Sequence, residues 1–356
     1  MRRRSLLYAS SEGGQVDPSA AAPLDVALAN KTSGEIIIVP SGTNFGSTYP
    51  SSSWTPIGIV VIPGEHGVLR ENGETAGTAQ CGIMSIVPMS YSTPENGQTS
   101  EGTMYWGGYG TDISGKSDGL GRGNSITNGL LNYQKVITTP DATSKEGTAL
   151  SSSYYAYIPR QAAIGGTPTR NNSPYAPSPY NGDDYMSGGY NSSYGTTAYD
   201  AGETSLNALA DFKGIVNTKI ITDLATSELW KTLPSITNNS GEGYYPAACC
   251  CARYHTIGTK AFKDCTATEL KKGTGFWYLP ACGELGYIIP RLFDINNTIS
   301  QLNTAYGVGV QLGTGNYFWS SSEYNNNYAR YVGSSNGRVS YYIKDDNYRV
   351  RAFLRL

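Results

Sequence analysis

The sequence predicts an α+β protein, and three observations predict it. Branched-aliphatic runs closed by proline recur between residues 22 and 92, helical periodicity is confined to residues 205–302, and after Gly315 the chain reads as strands and turns. Residue usage points the same way. Gly (43), Tyr (28) and Pro (18) are high while Phe is only 7, which fits many turns, short strands and aromatics with a polar tip. At 356 residues the chain is long enough for two or three domains and a substantial core.

Charge and cysteine usage bound the function. Only 15% of residues are charged and the formal net charge is −2, so the basic footprint of a nucleic-acid binder is missing and no nucleic-acid partner is expected. The start, Met1 to Ser10, is basic but is not followed by the apolar run of roughly 7–15 residues that makes a secretory signal. Release by another route, or retention inside the cell, is the expectation. No stretch approaches the roughly 18 apolar residues that span a membrane, so no membrane insertion is expected. The six cysteines are Cys81, the run Cys249-Cys250-Cys251, Cys265 and Cys282. Their spacing matches no C-x-x-C metal pattern, so they read as buried small hydrophobes, with a disulfide from the triplet to Cys265 or Cys282 as the alternative.

Taken in order, the first elements are strands. Ile36–Val39 ends at Pro40, Ile57–Ile62 at Pro63 and Gly82–Val87 at Pro88. Their connections are too short for crossover helices, so antiparallel pairing follows and residues 1–92 are expected to form a small β-rich domain. Residues 93–204 are a loop-rich Tyr/Ser/Gly segment, with nine tyrosines between Ser151 and Asp200 and hardly any aliphatic residue. Such a segment cannot fold alone and is expected to pack on, or insert in, the unit that follows. The cluster Gly119–Gly123 echoes a phosphate loop, yet it has neither a preceding strand nor a following helix and reads as a loop.

Residues 205–356 form the third expected unit. Helical spacing appears at Ser205–Phe212, Thr218–Leu224, Cys282–Ile289 and Leu292–Leu302, with Pro290 dividing the last two. Strands follow, and Asn336-Gly337 is the strongest short hairpin signal. Strand alternation turns Val332 and Val339 inward and Tyr331 and Ser340 outward. This terminal stretch, rich in Tyr, Asn, Ser and Gly, is framed by Phe318 and Trp319 before it and by Val350–Leu356 after it. Tyrosine offers large contact area at low rotamer cost, and Ser, Gly and Asn offer adaptable hydrogen bonds, so the stretch reads as a binding face. Its candidate anchors are Tyr328, Tyr331, Tyr341, Tyr342 and Tyr348.

Catalytic signals are missing. His66 and His255 sit in no Ser/His/Asp or His/Glu arrangement, and no repeat carries paired carboxylates. Asp345-Asp346 is the nearest acidic pair to the face and reads as a polar contact rather than a metal site. No catalytic residue, metal or cofactor is expected, and the chain reads as non-enzymatic.

Three motifs carry a resemblance: Phe276-Trp-Tyr-Leu-Pro-Ala-Cys-Gly-Glu-Leu285, Phe318-Trp-Ser-Ser-Ser-Glu-Tyr324 and Asn347-Tyr-Arg-Val-Arg-Ala-Phe353. In that order and spacing the chain resembles a bacterial C-type-lectin-fold family, the variable proteins of diversity-generating retroelements in phages and prophages of gut Bacteroidales. The basic start and β-rich first part resemble, more loosely, phage surface or tail-fibre proteins of that group.

The resemblance implies a C-type-lectin-like C-terminal domain, preceded by an N-terminal attachment domain, with a face at residues 316–348 rewritten by mutagenic reverse transcription at adenine-containing codons. The positions that fit are Asn325, Asn326, Asn327, Tyr328, Arg330, Tyr331, Gly333, Ser334, Ser335, Asn336, Arg338, Ser340, Tyr341, Tyr342, Asp345, Asp346, Asn347 and Tyr348. Trp277, Pro280, Glu284, Trp319, Glu323, Ala329, Val332, Gly337, Val339, Lys344, Arg349, Val350 and Arg351 would be scaffold. Implied partners are a protein or glycan receptor on a host or neighbouring cell, and other virion or tail proteins through the N-terminal domain. Display as a homo-oligomer, a trimer in a tail fibre, on a virion tail or extracellular surface is implied too. The family's Glu-Pro-Asn, Gln-Pro-Asp and Trp-Asn-Asp calcium and sugar motifs are absent. Two alternatives stand beside this reading: a formylglycine-generating oxidase on the same fold, whose catalytic signature is missing, and a structural decoration protein without a specific ligand.

Overall fold

The computed structural model describes residues 14–64, 69–70, 78–93, 97, 102–111, 113, 214–225, 243–288, 291–313, 315–324, 326–334 and 339–356. They form an α+β structure. The first strands in chain order are β1 (Val26–Asn30), β2 (Ile36–Val39), β3 (Trp54–Ile62), β4 (Leu69–Arg70), β5 (Ala79–Gln80), β6 (Gly82–Ser85) and β7 (Met104–Tyr105). Then come α1 (Gly214–Leu224), α2 (Pro246–Arg253), α3 (Ala267–Lys272), β8 (Trp277–Tyr278), α4 (Cys282–Gly286) and α5 (Leu292–Tyr306). The last strands are β9 (Tyr317–Glu323), β10 (Tyr328–Gly333), β11 (Val339–Ile343), β12 (Asn347–Tyr348) and β13 (Phe353–Arg355).

The main sheet has the order β2-β1-β3-β6-β13-β8, with antiparallel pairs throughout. Its inner strands read Val-Ala-Leu-Ala, Ile-Gly-Ile-Val-Val-Ile and Gly-Ile-Met-Ser and are buried on both faces, which is why they are near-continuous apolar runs rather than alternating ones. Pro56 sits inside β3 and cannot donate to the ladder. The β1–β3 register shifts between Ala27 and Leu28, beside it, and this irregularity accommodates the missing N–H. α5 buries Leu292, Ile295, Ile299 and Leu302, the stripe expected of period 3.6, and ends at Gly307 in the left-handed conformation (φ 73°).

The division drawn after residue 92 does not separate two sheets. β13, from the end of the chain, lies between β6 and β8, and one hydrophobic cluster runs from Val26 to Leu354. The first and last parts of the described chain therefore share a core. Strand pairing over such a sequence separation leaves no local signal to read. The Ser205–Phe212 helix, the Gly119–Gly123 loop, the nine tyrosines of Ser151–Asp200 and His66 lie outside the described residues.

A second sheet, β11-β10-β9, is antiparallel and carries the terminal stretch. α4 packs against β9 and β10, and α1 against β9. Ser321 N donates to Pro280 O (2.7 Å), and Asn217 Nδ2 donates to Ser321 Oγ (3.1 Å). A small third pair, β12 with β7, brings residues near 105 beside those near 347.

Close approach within the main sheet gives one prediction. A Cβ on Gly58, in β3, would lie 2.3 Å from Ile83 Cγ2 and 2.6 Å from Met84 O, both in the neighbouring strand. Gly58→Ala is expected to lower the unfolding free energy by about 2 kcal/mol through overpacking, measured by urea denaturation.

Candidate ligand-binding face

The face is built on β10, the middle strand of the second sheet, and on β11, its edge. Register sets the side-chain directions. Arg330 faces Tyr341 across the ladder and Ala329 faces Tyr342, so Tyr328, Arg330 and Tyr341 share one side of the sheet while Tyr331 and Tyr342 share the other. On the first side Tyr341 stacks on Tyr324 at 3.9 Å with planes 6° apart, Tyr328 meets Tyr341 at 5.5 Å, and the Arg330 guanidinium lies 5.1 Å from the Tyr324 ring centre. On the second side Tyr348 is surrounded by Trp319 (4.5 Å), Tyr331 (5.0 Å), Tyr317 (5.2 Å) and Tyr342 (5.8 Å). Burial pushes the Tyr348 phenol well above its ordinary range, with smaller upward contributions from Tyr331 and Asp346.

Solvent reaches only part of this assembly. Tyr341 and Tyr342 are 40% and 43% exposed, Asn326 and Asp345 are exposed, and Asn327, Tyr328, Asp346, Asn347 and Tyr348 are half-buried. Arg330 (1%), Tyr331 (3%), Gly333 and Ser334 (0%) are buried, which corrects their placement on the outer face. The outward expectation for Tyr331 fails because β10 lies between two strands and is covered on both sides. Alternation then selects between two packed environments rather than between core and water. Ser334 is held structurally: its Oγ donates to Gly313 O (2.9 Å) and accepts from Asn316 N (3.0 Å). Asn325, Ser335, Asn336, Gly337 and Arg338, with the side chains of Val339 and Ser340, lie outside the described residues.

Two buried ionic groups hold the frame. Lys344, fully buried, pairs through Nζ with Glu323, donates to Thr111 O (2.7 Å) and lies 4.8 Å from the Trp106 ring centre. Glu323 Oε1 also accepts from Ile113 N (3.1 Å). Glu284 Oε1 accepts from Arg355 Nη2 (2.8 Å) and from the Tyr278 hydroxyl (2.9 Å), and Oε2 accepts from Ala281 N (2.7 Å). Burial raises the Glu284 carboxyl, and the Arg355 guanidinium offsets part of that rise. The remaining proposed scaffold positions Trp277, Pro280, Trp319, Ala329, Val332, Val350 and Arg351 are buried, and Arg349 is half-buried.

Sequence reasoning missed the segment Met104–Thr111 as part of this region. Gly110 N donates to Asn326 O (2.9 Å), Gly107 N to Lys344 O (3.1 Å) and Trp106 Nε1 to Ser320 O (2.7 Å), and Trp319 Nε1 donates back to Met104 O (2.9 Å). The segment comes this close because Gly107 (φ +95°) and Gly108 (φ +67°) carry no Cβ. At Gly107 a Cβ would lie 2.0 Å from Tyr244 O. Tyr109, 44% exposed, thus stands next to Asn326 at the rim of the face. The Trp-Gly-Gly-Tyr-Gly run was the readable signal, since three glycines around a tyrosine mark a turn that presents an aromatic ring.

All six cysteines are free thiols, and all but Cys265 are buried. Burial pushes the Cys249 and Cys251 thiols well up, away from the thiolate. His255 Nδ1 lies 3.3 Å from Arg253 O. Among the described residues no three His, Cys, Asp or Glu side chains are grouped to hold a metal ion, and no helix is long and apolar enough to cross a membrane.

No family model matches the chain, and no curated protein matches it. Among solved structures, a fimbrial protein from Bacteroides ovatus is similar to it, with a TM-score of 0.39 and 16% sequence identity over 94% of this chain and 49% of that one. The chain therefore spans about half the length of that protein.

Removing the ammonium of Lys344 takes the ion-pair partner from the buried Glu323 carboxylate, so Lys344→Met is expected to destabilise by about 3 kcal/mol or more. Combining it with Glu323→Gln should recover part of that loss in a double-mutant cycle read by denaturant unfolding. Strict additivity of the two single changes would show that the pair is not coupled.

Proposed function

We propose that the chain is a non-enzymatic receptor-binding protein whose C-terminal part has a C-type-lectin-like fold with a diversified face, displayed on a phage tail fibre or as a surface adhesin. The observation that carries the reading is the exposure of Tyr341 and Tyr342 on an edge strand fixed from behind by buried ionic and aromatic contacts. Rigid exposed tyrosines flanked by Asn and Asp side chains are the physical make-up of a contact surface that binds by complementarity. The oxidase alternative would need a reactive thiolate, and the buried, protonated thiols of Cys249 and Cys251 argue against one there. Oligomeric display would multiply weak contacts through effective concentration.

The binding reading is tested by screening the full chain against a glycan array and a library of cell-surface proteins. The wild type should retain a selective binder, and Tyr341→Ala with Tyr342→Ala should weaken it by roughly tenfold or more while leaving the unfolding midpoint nearly unchanged. No selective binder, or one indifferent to both changes, sinks the reading in favour of a structural decoration protein.

The retroelement origin makes a separate prediction at the level of codons. Sequencing the DNA for residues 316–356 across a natural population should show adenine-directed change at exposed positions such as Asn326, Tyr341 and Tyr342 and at half-buried Tyr328, and none at Trp319 or Glu323. Scattered synonymous change with no neighbouring template repeat would reduce the protein to a static binding domain.

A further inference from the structure

Among the described residues, two aromatic rings are each covered by a cation of the chain and completed by a carboxylate. Lys344 covers Trp106 and pairs with Glu323; Arg355 covers Tyr278 at 5.5 Å and pairs with Glu284. A third group of rings and carboxylates stands at the surface. β11 and β12 are joined by a tight turn, closed by Asp346 N donating to Ile343 O (3.0 Å). Tyr342 and Tyr348 flank that turn with ring centres 5.8 Å apart and planes tilted by 34°, and the turn itself carries Asp345 and Asp346. Tyr342 is 43% exposed, Asp345 is exposed, and Asp346, half-buried and two residues before Tyr348, is fixed by its Oδ1 accepting from Asn347 N (2.7 Å).

We infer that Tyr342, Tyr348, Asp345 and Asp346 form a cation-accepting subsite that takes a lysine or arginine side chain of a protein receptor. The inference rests on the reading of this face as the receptor-binding surface, and it narrows the receptor to a protein with a basic side chain at the contact. The electron-rich faces of tyrosine rings attract ammonium and guanidinium groups, and a carboxylate at their edge adds charge attraction. Complementary charge also selects among partners. Arg330 and Lys344 are buried, at 1% and 0% exposure, and Arg349, beside Tyr348, is half-buried, whereas Asp345 is exposed, so the most open charge an anionic glycan would meet at this turn is a carboxylate. A neutral glycan would stack on the rings and donate its hydroxyls to the carboxylates without needing their charge, and Asp346→Asn separates the two cases because it keeps an acceptor oxygen and removes the charge.

The test uses the full chain with isotope-labelled tyrosine, titrated with the N-acetyl amides of arginine, lysine and glutamate and followed by NMR. The arginine and lysine amides should shift the Tyr342 and Tyr348 ring signals saturably, and the glutamate amide should not. Asp346→Asn keeps an oxygen to accept the Asn347 N–H, so the turn is preserved, and it should weaken the arginine amide by about fivefold. Tyr342→Ala should abolish the effect at Tyr348, whereas Tyr341→Ala, on the opposite side of the strand, should leave it intact. Equal shifts from the glutamate amide, no saturable shift, or indifference to Asp346→Asn would overturn the subsite. A receptor from the screen that depends on Tyr341 and Tyr342 but not on Asp346 would overturn it too, and would leave the receptor-binding reading standing. A screen without any binder would sink that reading whatever the amides do.

Discussion

Burying the ammonium of Lys344 is the constraint on which the rest of the face depends. An unpaired charge in that position would cost several kcal/mol of desolvation, so every contact that satisfies it becomes obligatory. Those contacts come from two separate parts of the chain: Glu323 at the end of β9, and the segment after β7 that carries both Thr111 and the ring of Trp106. The backbone of the same residue adds two more ties, its N–H to Asn327 O (2.9 Å) and its carbonyl to Gly107 N (3.1 Å). One residue thus ties together the connection between β9 and β10, the turn after β11 and the glycine-rich turn beside them. Exposed rings on a backbone held in this way lose little further freedom when they engage a partner, which is where pre-organisation adds affinity.

The group at Glu284 does a different job. Arg355 belongs to the main sheet, Tyr278 to its edge strand and Glu284 to α4, which packs against the second sheet. The carboxylate therefore joins the helix under the face to the sheet that contains the core. Both ionic groups are internal and each is completed by several donors, which is the arrangement in which a buried pair specifies geometry rather than merely contributing net stability.

How much of this was legible depended on whether the signal was local. Ile36–Val39 and Ile57–Ile62 could be read because a strand buried on both faces writes a continuous apolar run. The spacing of Leu292, Ile295, Ile299 and Leu302 gave α5 in the same direct way. α2, Pro246–Arg253, could not be read: all eight of its residues are buried, and a helix covered all round shows no amphipathic period. The insertion of Phe353–Arg355 between β6 and β8 was invisible for another reason, since partners this far apart in sequence, Met84 on one side and Tyr278 on the other, share no local pattern. In the terminal stretch, composition showed that tyrosines gather but not which side chains meet solvent. That is decided by the neighbours of β10, and one of them, Glu323, is in turn held by the distant Ile113 and Lys344.

The binding face proposed on β11 raises a conflict that the structure has to resolve. An edge strand offers unpaired backbone groups to any other strand, and covering it would also cover the tyrosines it presents. The strand is only five residues long, and the chain leaves it through a tight turn that carries Asp345 and Asp346. The next strand, β12, does not extend the same sheet but pairs with β7. Tyr341 is stacked on Tyr324 and Tyr342 lies near Tyr348, so bulky rings stand on both sides of the edge. A second strand approaching to pair would meet those rings and the two carboxylates before it reached the backbone. The features that leave the rings of this edge exposed are therefore the ones that hinder another strand from pairing with it, and a partner of the proposed face would be recognised by side chains rather than backbone.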